Sequence, residues 1–100
     1  MDAARDTDGL GHELGWAALH LGRLEAAGGQ RFRASQDLEL AQQIGQAAGD
    51  VPLYALAVRA RIDLAPDRSA AEAVLGEASG VAATVRIELR RHLDARWPVN

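Results

Sequence analysis

Apolar residues recur along this chain mainly every three or four positions, the period of a helix rather than a strand. Five segments keep this helical period, separated by glycine, proline and aspartate. In the first, Leu10, Leu14, Ala17, Leu21 and Leu24 alternate spacings of four and three. They predict the buried face of a helix that starts from a cap at Thr7 or Asp8 and ends at Ala27, before Gly28-Gly29. A second helix is expected from Arg31 to Ala48. Ala34, Leu38, Ala41, Ile44 and Ala48 point inward, and Gln36, Glu39, Gln42, Gln43 and Gln46 outward. A third, from Pro52 to Ala65, is apolar on most sides and interrupted clearly only by Arg59 and Asp63, which predicts a central position. A fourth reaches Ser79, with Ser69 and Glu72 at capping-box spacing and Ala71, Val74, Leu75 and Ala78 inward; Gly80 closes it. The fifth runs from Val81 to Trp97 on Val81, Val85, Leu89, Leu93 and Trp97, and Pro98 stops it. Short connections make neighbouring helices antiparallel. The expected fold is all-α, one domain over residues 9–97, with a disordered tail at 1–8 and a short one at 98–100.

The first helix carries an oddity. Gly11, Gly15 and Gly22 lie inside it and, with Ala18 and Ala26, line one edge. Each glycine costs roughly 1 kcal/mol of helix propensity relative to alanine. Close approach of another backbone is the physical return for that loss. The helix is therefore expected to pack on two flanks, its leucines on one and a close partner helix on the other.

Such double packing suits stacked helix pairs, and the chain contains an internal echo. Ala18, Leu21, Gly22, Ala34, Leu38 and Ala41 are followed, thirty-seven residues later, by Ala55, Val58, Arg59, Ala71, Leu75 and Ala78. On Leu21-Gly22, Gly29-Gln30, Ala34, Leu38 and Ala41 the segment resembles the tetratricopeptide repeat. Asp67, Ala71, Leu75 and Ala78 are similar to the second half of a further unit. Ala18, Glu25 and Arg59 depart from that family's tryptophan, tyrosine and glycine, and the spacing exceeds its usual ~34 residues. The wording looks most like divergent repeats of large actinobacterial transcriptional regulators and signalling ATPases. The resemblance implies two degenerate helix-pair repeats plus a C-terminal helix, serving protein–protein interaction or scaffolding.

Composition narrows the chemistry. Four aromatic residues leave an aliphatic, alanine-rich core. With no cysteine, thiolate nucleophiles, disulfides and cysteine-ligated zinc are excluded. All eleven basic residues are arginine. The net charge of −3 argues against nucleic acid as a partner. No apolar run reaches the ~20 residues of a membrane span, and the polar N-terminus is unlike a signal peptide. These features together predict a cytoplasmic protein.

No metal, phosphate-loop, dinucleotide or nucleophile-elbow motif is present. His12 and His20 stand two helical turns apart, about 12 Å, too far to share a metal. Residues 40–52 are faintly similar to part of the helical chorismate mutases, but that family needs a lysine and none is present. No cofactor is expected, and a small helical enzyme ranks behind an interaction module or a self-associating bundle. The candidate interface is His12, Trp16, Leu19 and Arg23, opposite the leucines. Either another part of the chain covers Trp16, or a protein, a peptide or a second copy does. A twofold contact would bury Trp16 against its own copy. Arg86, Arg90 and Arg91 read as a solvated face or as ligands for a phosphate or carboxylate.

Overall fold

A helix with two apolar faces organises the molecule. In the computed structural model, which describes residues 3–78 and 82–99 with side chains from Gly11 onward, five helices follow one another. They are α1 (Ala3–Ala27), α2 (Arg31–Ala48), α3 (Val51–Leu64), α4 (Arg68–Glu77) and α5 (Ala83–Arg96), and no strand occurs among the described residues. α3 packs against all four others. Leu53 and Ala57, with the half-buried Leu56, Ala60 and Leu64, face a core shared with α1 and α2. Tyr54, Val58 and Ile62 face a second core shared with α4 and α5. Two stripes back to back are why α3 is apolar nearly all round. Among the described residues α1 packs only on α2 and α3, the backbone of α2 comes near neither α4 nor α5, and the extents are 57 × 33 × 15 Å.

The helix ends follow local chemistry. Gly49 closes α2 at φ +68°, with Asp50 N–H donating to the Gly45 carbonyl at 2.9 Å, and Gly29 takes φ +81° beyond α1. Ala65 is extended ahead of Pro66, which disfavours helical backbone in the preceding residue, and α3 stops there. α4 is capped not by Ser69 but by Asp67, whose Oδ1 accepts from Ala70 N–H at 2.8 Å. One residue earlier than the expected cap, Arg68 already begins the helix. α1 extends N-terminal to the expected cap, so positions 3–8 of the anticipated tail are helical, while residues 1 and 2 lie outside the described residues. Alanine and arginine are strong helix formers, which favours this extension. Ser79, Gly80 and Val81, expected to end α4 and start α5, also lie outside the described residues.

Several expectations about faces are corrected, and Ala48, expected inward at the end of α2, is exposed. The leucine row of α1 is not buried: Leu14, Leu21 and Leu24 are 56%, 49% and 71% exposed, and Ala17 is exposed as well. Leu10 falls where side chains are not described. α1 instead buries Gly15, Ala18, Leu19 and Gly22. Periodicity reveals a stripe but not its partner, and α2 takes the edge where its side chains can come closest. Gln42, expected outward, is buried at the α2–α3 seam, where an arginine from α3 satisfies it. The thirty-seven-residue echo keeps its burial only in the second halves. Ala34, Leu38 and Ala41 are buried like Ala71, Leu75 and Ala78, but Leu21 is exposed where Val58 is buried, and Gly22 buried where Arg59 is exposed. α1 and α3 are rotated differently about their axes relative to that alignment.

Candidate binding site

Glycine sets how closely the helices meet. A Cβ on Gly15 would lie 2.7 Å from Ile44 Cγ2 and from Leu53 Cδ2, and one on Gly22 would lie 2.8 Å from Leu38. Both are close-packing positions, as their edge suggested. Gly11 is not, because nothing stands within 4 Å of its Cβ direction. The closest approach to another helix's backbone belongs to Gly45 of α2, where a Cβ would meet the backbone nitrogen of Tyr54 at 2.8 Å. Gly45 follows Ala41 by four residues on the buried face, and that small-residue spacing was the available signal.

The close seat of α1 decides the fate of the expected interface residues. Leu19 is fully buried between α1, α2 and α3, so it belongs to the core rather than to a contact surface. Trp16 is half-buried against the same core, and its Nε1 donates to Asp50 Oδ2 at 2.9 Å. His12 Nδ1 stands 3.1 Å from the same oxygen. Asp50 Oδ1 meanwhile accepts from Leu53 N–H at 3.1 Å and caps α3. One carboxylate thus starts α3 and ties down α1, and Trp16 has its polar partner within the chain. Nothing local marks this pair, because thirty-four residues separate its members.

Arg23 is exposed, and it opens onto a hollow of about 250 Å³ between α1 and α3. Leu56 and Ala60 are half-buried there, Arg59 is exposed beside them, and Asp63 closes one end. Asp63 is already engaged by His92 Nε2 at 2.7 Å. The hollow therefore offers two cations around an apolar strip. In the sequence Arg59 interrupts the apolar run of α3 and departs from the repeat's glycine, and its place beside Arg23 follows from how α1 crosses α3.

The remaining arginines mostly hold helices together. Arg61 donates to Gln42 Oε1 at 2.7 Å and approaches Glu39 and Glu77 at 3.4 and 3.3 Å, bridging α2, α3 and α4. Sequence reasoning missed it because its position among apolar neighbours shows no partner. Arg68 reaches Asp94 at 2.7 Å and the Trp97 carbonyl. Trp97 Nε1 donates to the Ile62 carbonyl at 3.0 Å. Of the three arginines singled out on α5, Arg86 donates to the Ala78 carbonyl at 2.7 Å, Arg90 meets Glu72 at 2.7 Å, and Arg91 is exposed.

One carboxylate pair departs from this pattern of satisfied charges. Glu25 of α1 faces Asp37 of α2. Sharing a hydrogen bond with Asp37, together with desolvation and repulsion from that carboxylate, raises the Glu25 pKa against the opposing pull of Arg33. Among the described residues no three histidine or acidic side chains cluster as a metal site. No family model, no curated protein and no solved structure matches this chain.

Proposed function

We propose that this chain is a non-catalytic protein-interaction or scaffold module built from tetratricopeptide-like helix pairs, working in the cytoplasm as part of a regulatory protein. The observation that carries the reading is the open hollow between α1 and α3, where Arg23 and Arg59 flank the apolar strip of Leu56 and Ala60. Arginine is enriched at binding hot spots, and two arginines stand here beside partly open apolar side chains. Helices that pack only on near neighbours in the chain support a stacked arrangement, since repeat arrays are built from such contacts. A cysteine-free chain suits a reducing compartment, and among the described residues no helix is long and apolar enough to cross a membrane.

Selection of random peptides against the immobilised chain tests the reading. Enriched peptides should combine an acidic residue with apolar neighbours. Charge reversal at Arg23→Glu or Arg59→Glu should weaken them about tenfold, the effect of losing one good charged contact. Both sites are exposed, so thermal melts should stay unchanged. Selected peptides indifferent to both reversals would exclude this hollow as the binding site.

A second reading, a self-associating bundle, is favoured by the leucines that α1 leaves uncovered.

A further inference from the structure

The exposed row on α1 has an internal order. Leu14, Ala17, Leu21 and Leu24 stand at spacings of three, four and three. This is the 3.5-residue period of a helix seam, in which the row stays in line with a partner helix. It lies on the side of α1 turned away from both α2 and α3, since Gly15, Gly22 and Leu19 occupy the sides facing them. Nothing among the described residues covers it, and the three leucines are about half to three-quarters exposed. Monomeric proteins rarely align large apolar side chains in this way at the surface.

We infer that this row is a homodimer contact, in which α1 packs antiparallel on α1 of a second copy about a twofold axis. The inference rests on the reading of the chain as an interaction module and names a surface distinct from the Arg23–Arg59 hollow. Three observations select a second copy. First, the spacing three, four, three reads the same in both directions. An antiparallel copy therefore sets Leu14 against the partner's Leu24 and Ala17 against the partner's Leu21. Each small residue then faces a large one, whereas a parallel copy would set alanine on alanine and leave a gap. Second, the other end of the molecule does not match. The exposed side of α5 sets Ile87 among Arg86, Arg90, Arg91 and Asp94, so head-to-tail stacking would press leucines onto charges. Third, helix dipoles favour opposed over aligned neighbours.

The row spans only about 15 Å of helix axis. Contact area is then at the low end for specific association, and a reversible dimer is expected, with a Kd of about 10 μM.

Because the chain has no cysteine, engineered thiols report the contact cleanly. The full-length double variant Leu14→Cys/Leu24→Cys should form a covalent dimer under mild oxidation, while Ala17→Cys alone should not, since its partner residue is Leu21. In sedimentation equilibrium at about 100 μM, roughly tenfold above the expected Kd, wild type should show a weight-average mass of about 1.8 times the chain mass. Leu21→Glu/Leu24→Glu should be monomeric with unchanged helix content, which exposure of both side chains permits. Phe32→Glu, at an exposed site on α2, should remain dimeric. A wild type that is monomeric at this concentration overturns the inference, as does a dimer that survives the double glutamate. Either result leaves peptide binding at Arg59 untouched, so failure of the dimer is distinguishable from failure of the module reading.

Discussion

The two ends of the molecule are joined to α3 by different means. At the N-terminal end α1 and α2 meet through missing side chains. Gly15 and Gly22 admit Ile44, Leu53 and Leu38, and Gly45 admits the α3 backbone. At the C-terminal end α3, α4 and α5 share an apolar core, and polar side chains that reach across tether these three helices to one another. Arg68 holds Asp94, His92 holds Asp63, Arg86 holds the Ala78 carbonyl and Trp97 holds the Ile62 carbonyl. Close packing at one end depends on shape and is indifferent to salt. Tethering at the other depends on charge and loosens as ions screen it. The outer surfaces differ in the same sense, leucine-lined on α1 and charged on α5.

The glycine contacts offer the strongest way to break this contrast. Gly45→Ala places a methyl group against backbone rather than against a mobile side-chain tip. It should destabilise the fold by about 3 kcal/mol, despite the gain in helix propensity, because α2 and α3 must separate. The same substitution at Gly76 of α4, where nothing stands within 4 Å, should stabilise by up to ~1 kcal/mol. Denaturant titration of the two variants tests the claim, and equal effects would dissolve the distinction between the ends.

Arg61 sits between the two regimes. Arg61→Met keeps the stem but removes the donor to buried Gln42, with an expected loss of about 2 kcal/mol. If Gln42→Leu added to Arg61→Met restores stability, the loss came from the stranded amide. A loss that persists in the double variant would assign it to the Glu39 and Glu77 contacts instead.

The tethers at the C-terminal end are individually weaker. Arg68→Ala should cost about 1 kcal/mol, mostly through its bonds to Asp94 and the Trp97 carbonyl, and the cost should shrink in 1 M salt, where screening acts over ~3 Å. Gly22→Leu should show no such salt dependence. A salt-independent Arg68→Ala effect would mean that the arginine stem, packed rather than paired, holds the end in place.

The smallest effect concerns Glu25 and follows from the sign of its shift. Its folded-state pKa is raised, so the stability it contributes is full below its unfolded pKa and is lost as pH rises through the folded value. Asp37→Asn removes the neighbouring charge that raises it. The variant should match wild type in acid and exceed it at neutral pH. Parallel stability–pH curves for the two proteins would show that the carboxylates do not interact.

Helix number, order and most of the inner residues were readable from the chain itself. The 3.6-residue period marks Leu38, Leu75, Leu89 and Leu93 as buried, proline and glycine mark the breaks, and the two-sided apolarity of α3 marks it as central. These are local properties, and local interactions dictate them. The tertiary structure alone decided which side of α1 turns inward. A leucine row and a glycine edge compete for the same partner, and the outcome depends on how near α2 and α3 can come once their own side chains are placed. The edge won because Leu38, Ile44 and Leu53 fill the space that Gly15 and Gly22 leave open. That choice sank Leu19 into the core, brought Trp16 to Asp50 and set Arg23 beside Arg59. All three consequences join residues far apart in sequence, where periodicity carries no information.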